Sequence, residues 1–160
     1  SDVSTLAEPI EGLRIRRDNY QPGDTDLSWT RLTGWRSTLA AVLDRPVGDV
    51  HSVAVTAPVN NPSAVLLAAW LAWALDIPAR LVPGSGPGLN AVALSIDDGT
   101  IELARPDGRM ATLRMPGVPE SPIALPRRTI ADLIAEDLRR LTPDEIYAEA
   151  LAAIDRVDIG

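Results

Sequence analysis

The sequence predicts an α+β domain: a mixed, mostly antiparallel sheet with about four helices packed on it. Three observations carry this expectation. A valine-rich segment, Val50–Ala57, leads through Asn61-Pro62 into a charge-free apolar stretch and then a short apolar segment at 79–82, the strand–helix–strand order of a parallel crossover. Three short segments of alternating character follow at hairpin spacing. Two amphipathic segments, each opening on a threonine, close the chain.

Residues 1–20 are mixed in character and run into the turn-like Gln21-Pro22-Gly23, so they read as a leader or linker from a preceding domain, with the folded domain at 21–160. The first helix is expected after Asp24 or Thr25, whose side-chain oxygens can cap free amides. Its apolar stripe runs Leu32, Trp35, Leu39, Val42 and Leu43, and Pro46 and Gly48 stop it. After the strand at Val50–Ala57, Asn61 caps a second helix reaching Asp76, with Pro62 at the first position, where a missing N–H is tolerated. From 64 to 75 this helix has no charged side chain, so most of its surface, Trp70 and Trp73 included, is expected to be covered.

Val92, Leu94 and Ile96, then Ile101 and Leu103, then Ala111, Leu113 and Met115 alternate with small or polar neighbours. Asp97-Asp98-Gly99 and Pro106-Asp107-Gly108 supply the turns between them. Residues 116–126 hold four prolines and read as an extended connector. Thr129 is expected to cap a helix with core residues Ile130, Leu133, Ile134 and Leu138. Thr142-Pro143-Asp144-Glu145 has the form of a capping box with Thr142 at the cap, ahead of a buried face at Ile146, Tyr147, Ala150, Leu151 and Ile154.

Composition narrows the function classes. A chain of 160 residues with 46% hydrophobic content can bury a core as one domain. The absence of cysteine excludes disulfides, thiolate nucleophiles and Cys-ligated metals within it, and fits a cytoplasmic setting. All fifteen basic residues are arginine, which excludes a Schiff-base or phosphate-loop lysine. A formal charge of -7 argues against nucleic acid as a partner. The apolar run at 64–75 is well short of the roughly 20 residues that span a bilayer, so no membrane partner is expected. Residues 1–10 lack the apolar segment of a signal peptide, and the missing initiator methionine suggests an excised or processed chain.

No catalytic constellation emerges. His51 is the single histidine, so no histidine pair can hold a metal. Asp97, Asp98 and Asp107 sit where turns favour aspartate. The glycine-rich 84–88 stretch leads into a strand instead of a helix, and Pro87 removes an amide donor, so it reads as a connector and no cofactor is expected. The arginines remain. Arg127-Arg128 precede a helix cap, and Arg139-Arg140 occupy that helix's last turn, where cations suit the helix dipole and could also form a polar protein interface. In the first helix, Trp29, Thr33 and Arg36 share one flank of the apolar stripe, and Arg31 lies on the other. Trp29 with Arg36 has the composition of an interface hot spot; equally, Trp29 can close the core edge with Arg36 lying over it.

Five blocks, at 22–36 (PGDTDLSWTRLTGWR), 61–75 (NPSAVLLAAWLAWAL), 103–113 (LARPDGRMATL), 116–129 (PGVPESPIALPRRT) and 134–151 (IAEDLRRLTPDEIYAEAL), occur in an order that resembles the carboxy-terminal domain of the OpcA family. The lysine-free, Ala-, Arg- and Pro-rich composition fits its actinobacterial branch. The resemblance implies a non-enzymatic protein that binds, assembles and allosterically activates glucose-6-phosphate dehydrogenase in the oxidative pentose phosphate pathway. It also implies an amino-terminal domain missing from this chain. It transfers no catalytic residue, and without cysteine this segment cannot carry the thiol redox control linked to cyanobacterial relatives. The candidate partner-binding residues are therefore Trp29, Arg31, Thr33, Arg36, Arg127, Arg128, Arg139 and Arg140. An alternative reading is a ligand-sensing regulatory domain that holds a sugar phosphate or nucleotide through its arginines.

Overall fold

The computed structural model describes residues 1–140 and 142–160; Leu141, inside the last family-like block, lies outside them. In chain order the elements are α1 (Pro9–Asp18), α2 (Leu27–Thr30), α3 (Thr33–Leu43), β1 (Val50–Ala57), α4 (Pro62–Leu75), β2 (Ala79–Pro83), β3 (Ala91–Ile96), β4 (Gly99–Ala104), β5 (Met110–Met115), β6 (Val118–Ala124), α5 (Ile130–Arg139), α6 (Glu145–Ala152) and β7 (Val157–Asp158). The strands form one seven-stranded sheet of order β6-β5-β4-β3-β1-β2-β7. β1, β2 and β7 run parallel, while β1 pairs antiparallel with β3, and β3 to β6 continue as an antiparallel meander. The fold is α+β with a mixed, mostly antiparallel sheet, as the sequence predicts.

Strand alternation settles which face is buried. Val53 and Val55 pair with Leu94 and Val92, which pair onward with Ile101 and Leu103, and Leu103 with Leu113. All seven are buried. The opposite face carries small and polar side chains, including Ala54, Ala93, Ser95, Glu102, Thr112 and Arg114, half-buried or exposed. The helices therefore cover one side of the sheet. α4 is the central one, packed on β1, β2, α1, α2 and α6. Asn61 caps it by accepting the Ala64 amide at 3.1 Å, and Asp76 ends it in the left-handed conformation at φ 55°. Each leucine it buries contributes roughly 1.5–3 kcal/mol. No helix among the described residues is long and apolar enough to cross a membrane.

Several local expectations change. Within residues 1–20, read from the sequence as a leader or linker, α1 packs on α4 and α6, with Leu13 and Val3 buried. The first helix is two, α2 and α3, and its cap is Asp26 instead of Asp24 or Thr25. Asp26 is extended and accepts the Ser28 amide at 2.9 Å, while Asp24 accepts from Gln21 and Thr25 donates to Asp137. The 116–126 connector contains β6, which tolerates Pro119 and Pro122 because it is an edge strand with one neighbour. The last helix is capped by Asp144, not Thr142: it starts at Glu145, and one Asp144 carboxylate oxygen accepts the Tyr147 amide at 3.0 Å while the other accepts from Trp29. Trp73 and Ile146, expected in the core, are 37% and 39% exposed on the outer sides of their helices.

Candidate functional site

The largest departure lies on α5. Thr129 caps it in a capping box with Asp132, and Leu133 is fully buried. Yet Ile130, Ile134 and Leu138, expected in the core, are 59%, 44% and 73% exposed. Their spacing of four places them along one side of the helix, a continuous apolar stripe facing solvent. α5 packs against α2 on its other side. Arg139 ends the helix, exposed, in the last turn.

Between α5 and α2–α3, the structure gathers most of the candidate flank. Glu136 accepts the Thr33 hydroxyl at 2.7 Å and pairs with Arg128, with Arg140 at 3.8 Å. Burial pushes the Glu136 carboxyl up, but the hydrogen bonds from Thr33 and Arg128 outweigh it and leave the group below its ordinary range. Asp144 pairs with Arg140 and accepts Trp29 Nε1 at 2.8 Å. Trp29 is fully buried, its ring 5.6 Å from that of Tyr147 and covered by Arg36. Burial pushes the Arg36 guanidinium down to about 10, with Asp144 opposing. Trp29 thus closes the core, and the hot-spot alternative fails for it because it has no surface to offer. Thr33 and Arg128 tie α5 to α2–α3 through Glu136 and the Thr30 carbonyl, Arg140 ties its end to Asp144, and Arg36 lies over Trp29 beside them.

Arg31 lies apart from these residues. It makes two parallel hydrogen bonds to Asp2, at 2.9 and 2.7 Å, and lines a cavity of about 380 Å³. Arg127 and Arg128 line the same cavity, together with Arg105, Trp35 and the Asn60-Asn61 loop before α4. Arg105 is a residue that sequence reasoning missed. It follows β4 directly before Pro106, and nothing local distinguishes it from the other arginines. In the fold it is 7% exposed, donating to the carbonyls of Leu125 at 2.6 Å and Leu89 at 3.3 Å. His51 lies near the exposed start of β1, with Nε2 2.6 Å from Asp97 Oδ1. No cluster of three His, Asp or Glu side chains suited to a metal occurs among the described residues.

Comparison with known proteins adds the family. A crystal structure of KijD10, a 3-ketoreductase from Actinomadura kijaniata in complex with NADP and TDP-benzene, is similar at a TM-score of 0.52 and 12% identity, covering 99% of this chain and 69% of that one. An open conformation of the same protein aligns at 0.44 and 12% identity over 84% of this chain and 61% of that one. The first likeness concerns the fold alone; the second carries no argument. A comparison with curated protein sequences returns no match. The family model that describes the carboxy-terminal domain of a glucose-6-phosphate dehydrogenase subunit matches residues 22–151. Matched over most of its length, the chain belongs to this family, the one its ordered sequence blocks resemble.

Proposed function

We propose that this domain is a non-catalytic partner that binds, assembles and allosterically activates glucose-6-phosphate dehydrogenase, serving the oxidative pentose phosphate pathway in the cytoplasm. The reading rests on family membership, and one structural observation gives it a surface: Ile130, Ile134 and Leu138 lie in an exposed stripe on a helix whose other side is anchored. A stripe of this kind suits a helix docked on an apolar patch of a partner, and exposed Arg139 adds a rim residue of the type enriched at interfaces. The proposed docking face is therefore α5, with Arg139 beside it, instead of Trp29. Activation requires the domain to favour one conformation or assembly state of the enzyme. A tenfold gain in substrate affinity needs only about 1.4 kcal/mol of coupling.

Co-elution of the domain, alone and within its full-length protein, with the cognate dehydrogenase tests binding, and initial rates over a range of glucose 6-phosphate test activation. A complex with a lowered apparent KM is expected. No complex and no kinetic change at micromolar protein would overturn the reading. The ligand-sensing alternative is favoured by a different observation, the cation-lined cavity, and stands independently of the docking face.

A further inference from the structure

We propose that the cavity beside β1 binds a small organic phosphate, with Arg105 and Arg127 as its cationic ligands. The cavity lies outside the carboxyl end of β1, where the chain leaves the sheet through Asn60 and Asn61 into α4. At the same end of the sheet the chain enters antiparallel β3 from the loop at 84–90, and Gly88 and Leu89 of that loop form the facing wall of the cavity. At about 380 Å³ it falls in the range of small-molecule sites.

Charge selects the ligand class. No Asp or Glu lines the cavity among the described residues, although the chain carries 22 acidic residues and a net charge of -7. Four arginines line it, and two are already neutralised, Arg31 by Asp2 and Arg128 by Glu136. Arg105 and Arg127 have no ion-pair partner among the described residues. For Arg105 this is unusual, because a buried cation is ordinarily paired. Burial pushes its guanidinium down, and Arg127 nearby pushes it further, with Asp107 opposing. An anion in the cavity would relieve both effects.

The site is also held in place before any ligand arrives. The guanidinium of Arg105 is tied to two carbonyls and lies 5.1 Å from the Trp35 ring, while its Nε has no hydrogen-bond partner among the described residues. Arg127 donates its backbone amide to Gly108 at 3.1 Å, and a Cβ at Gly108 would approach Arg127 Cδ to 3.1 Å. Gly108 thus leaves room for the arginine stem. The N-terminus of α4, fourteen residues long with no acid in its first turn, adds the positive end of its dipole. Two arginine cations beside a helix N-terminus suit a phosphate group, and the apolar wall of Trp35, Leu32 and Leu89 leaves space for an organic remainder.

Calorimetric titration of this chain with inorganic phosphate, pyrophosphate, glucose 6-phosphate and ATP, and with glucose as the uncharged control, tests the proposal without any dehydrogenase. At least one phosphate compound is expected to bind and glucose is not. Arg127→Ala, at an exposed side chain, should weaken that binding at least about tenfold while the unliganded melting temperature holds. Arg139→Ala, outside the cavity, should bind as the parent does. Because Arg105→Ala would disturb the fold, Arg105→Lys is the second variant, keeping the charge but losing the fork, and should also weaken binding. No binding of any phosphate compound at about 10 mM, or binding unaltered by both Arg127→Ala and Arg105→Lys, would overturn the site.

Discussion

The guanidinium carbon of Arg36 lies 3.8 Å from the centroid of the Trp29 ring, and the indole Nε1 donates to Asp144 at 2.8 Å. One ring face is covered by a cation, its polar edge is satisfied, and Tyr147 packs beside it, so the tryptophan joins α2, α3 and α6. Trp29→Ala should therefore cost about 3–5 kcal/mol, seen as a clear fall in the urea midpoint. Trp29→Phe keeps most of the packing and loses the Nε1 bond, for about 1–2 kcal/mol. An unaltered midpoint in Trp29→Ala would show that the ring is not core.

Asp26 ties the start of the chain to the domain. Fully buried, it caps α2 and accepts from the Val3 amide at 3.0 Å and the Ser1 hydroxyl at 2.8 Å. Asp26→Ala removes a cap and leaves buried donors unpaired, a loss of about 2–3 kcal/mol. Hydrogen exchange should show the Val3 amide losing protection along with that of Ser28.

Acid should weaken the same region through a second carboxylate. The hydrogen bonds from Arg31 hold the Asp2 carboxyl down at about 2, against the opposing effect of burial. A carboxyl depressed on folding stabilises fully above its unfolded value of about 3.9; that contribution fades as pH falls through about 4 and is gone below about 2. Between pH 5 and pH 2, Asp2→Asn should lose less stability than the parent chain. Parallel denaturation curves at both pH values would refute this.

Tyr147 gives a prediction of opposite sign. Its hydroxyl is buried without a hydrogen-bond partner among the described residues, and burial pushes its ionisation upward. Removing a hydroxyl that forms no bond relieves a desolvation cost. Tyr147→Phe should therefore match or exceed the parent melting temperature, and a large fall would mean that the hydroxyl is satisfied in solution.

On α5, Leu138→Ser should leave stability within about 0.5 kcal/mol, because the side chain is 73% exposed. The same change should weaken any complex with the dehydrogenase. A variant that binds as the parent does would move the docking face elsewhere.

Much of this architecture is legible in the chain because its signals are local. Asn61-Pro62 opens α4 through a side-chain bond three residues long, and the two Asp- and Gly-containing turns set the meander. Trp35 and Leu39 are core as their spacing implies. Ile130, Ile134 and Leu138 carry the same spacing and face solvent. Periodicity defines a side of a helix, but nothing in it says whether another element lies against that side.

The candidate site follows the same division. By itself the sequence determined the family, the crossover unit, three of the meander's four strands and the absence of cysteine and lysine chemistry, all carried by residue type and short-range order. Only the tertiary structure decided that Trp29 is core, that α5 turns an apolar stripe outward, and that Arg105 and Arg127 line one cavity with no Asp or Glu among its described lining residues. Those outcomes depend on contacts between segments far apart in the chain. A side chain's partners, and therefore its burial and its charge balance, exist only once the sheet has brought those segments together.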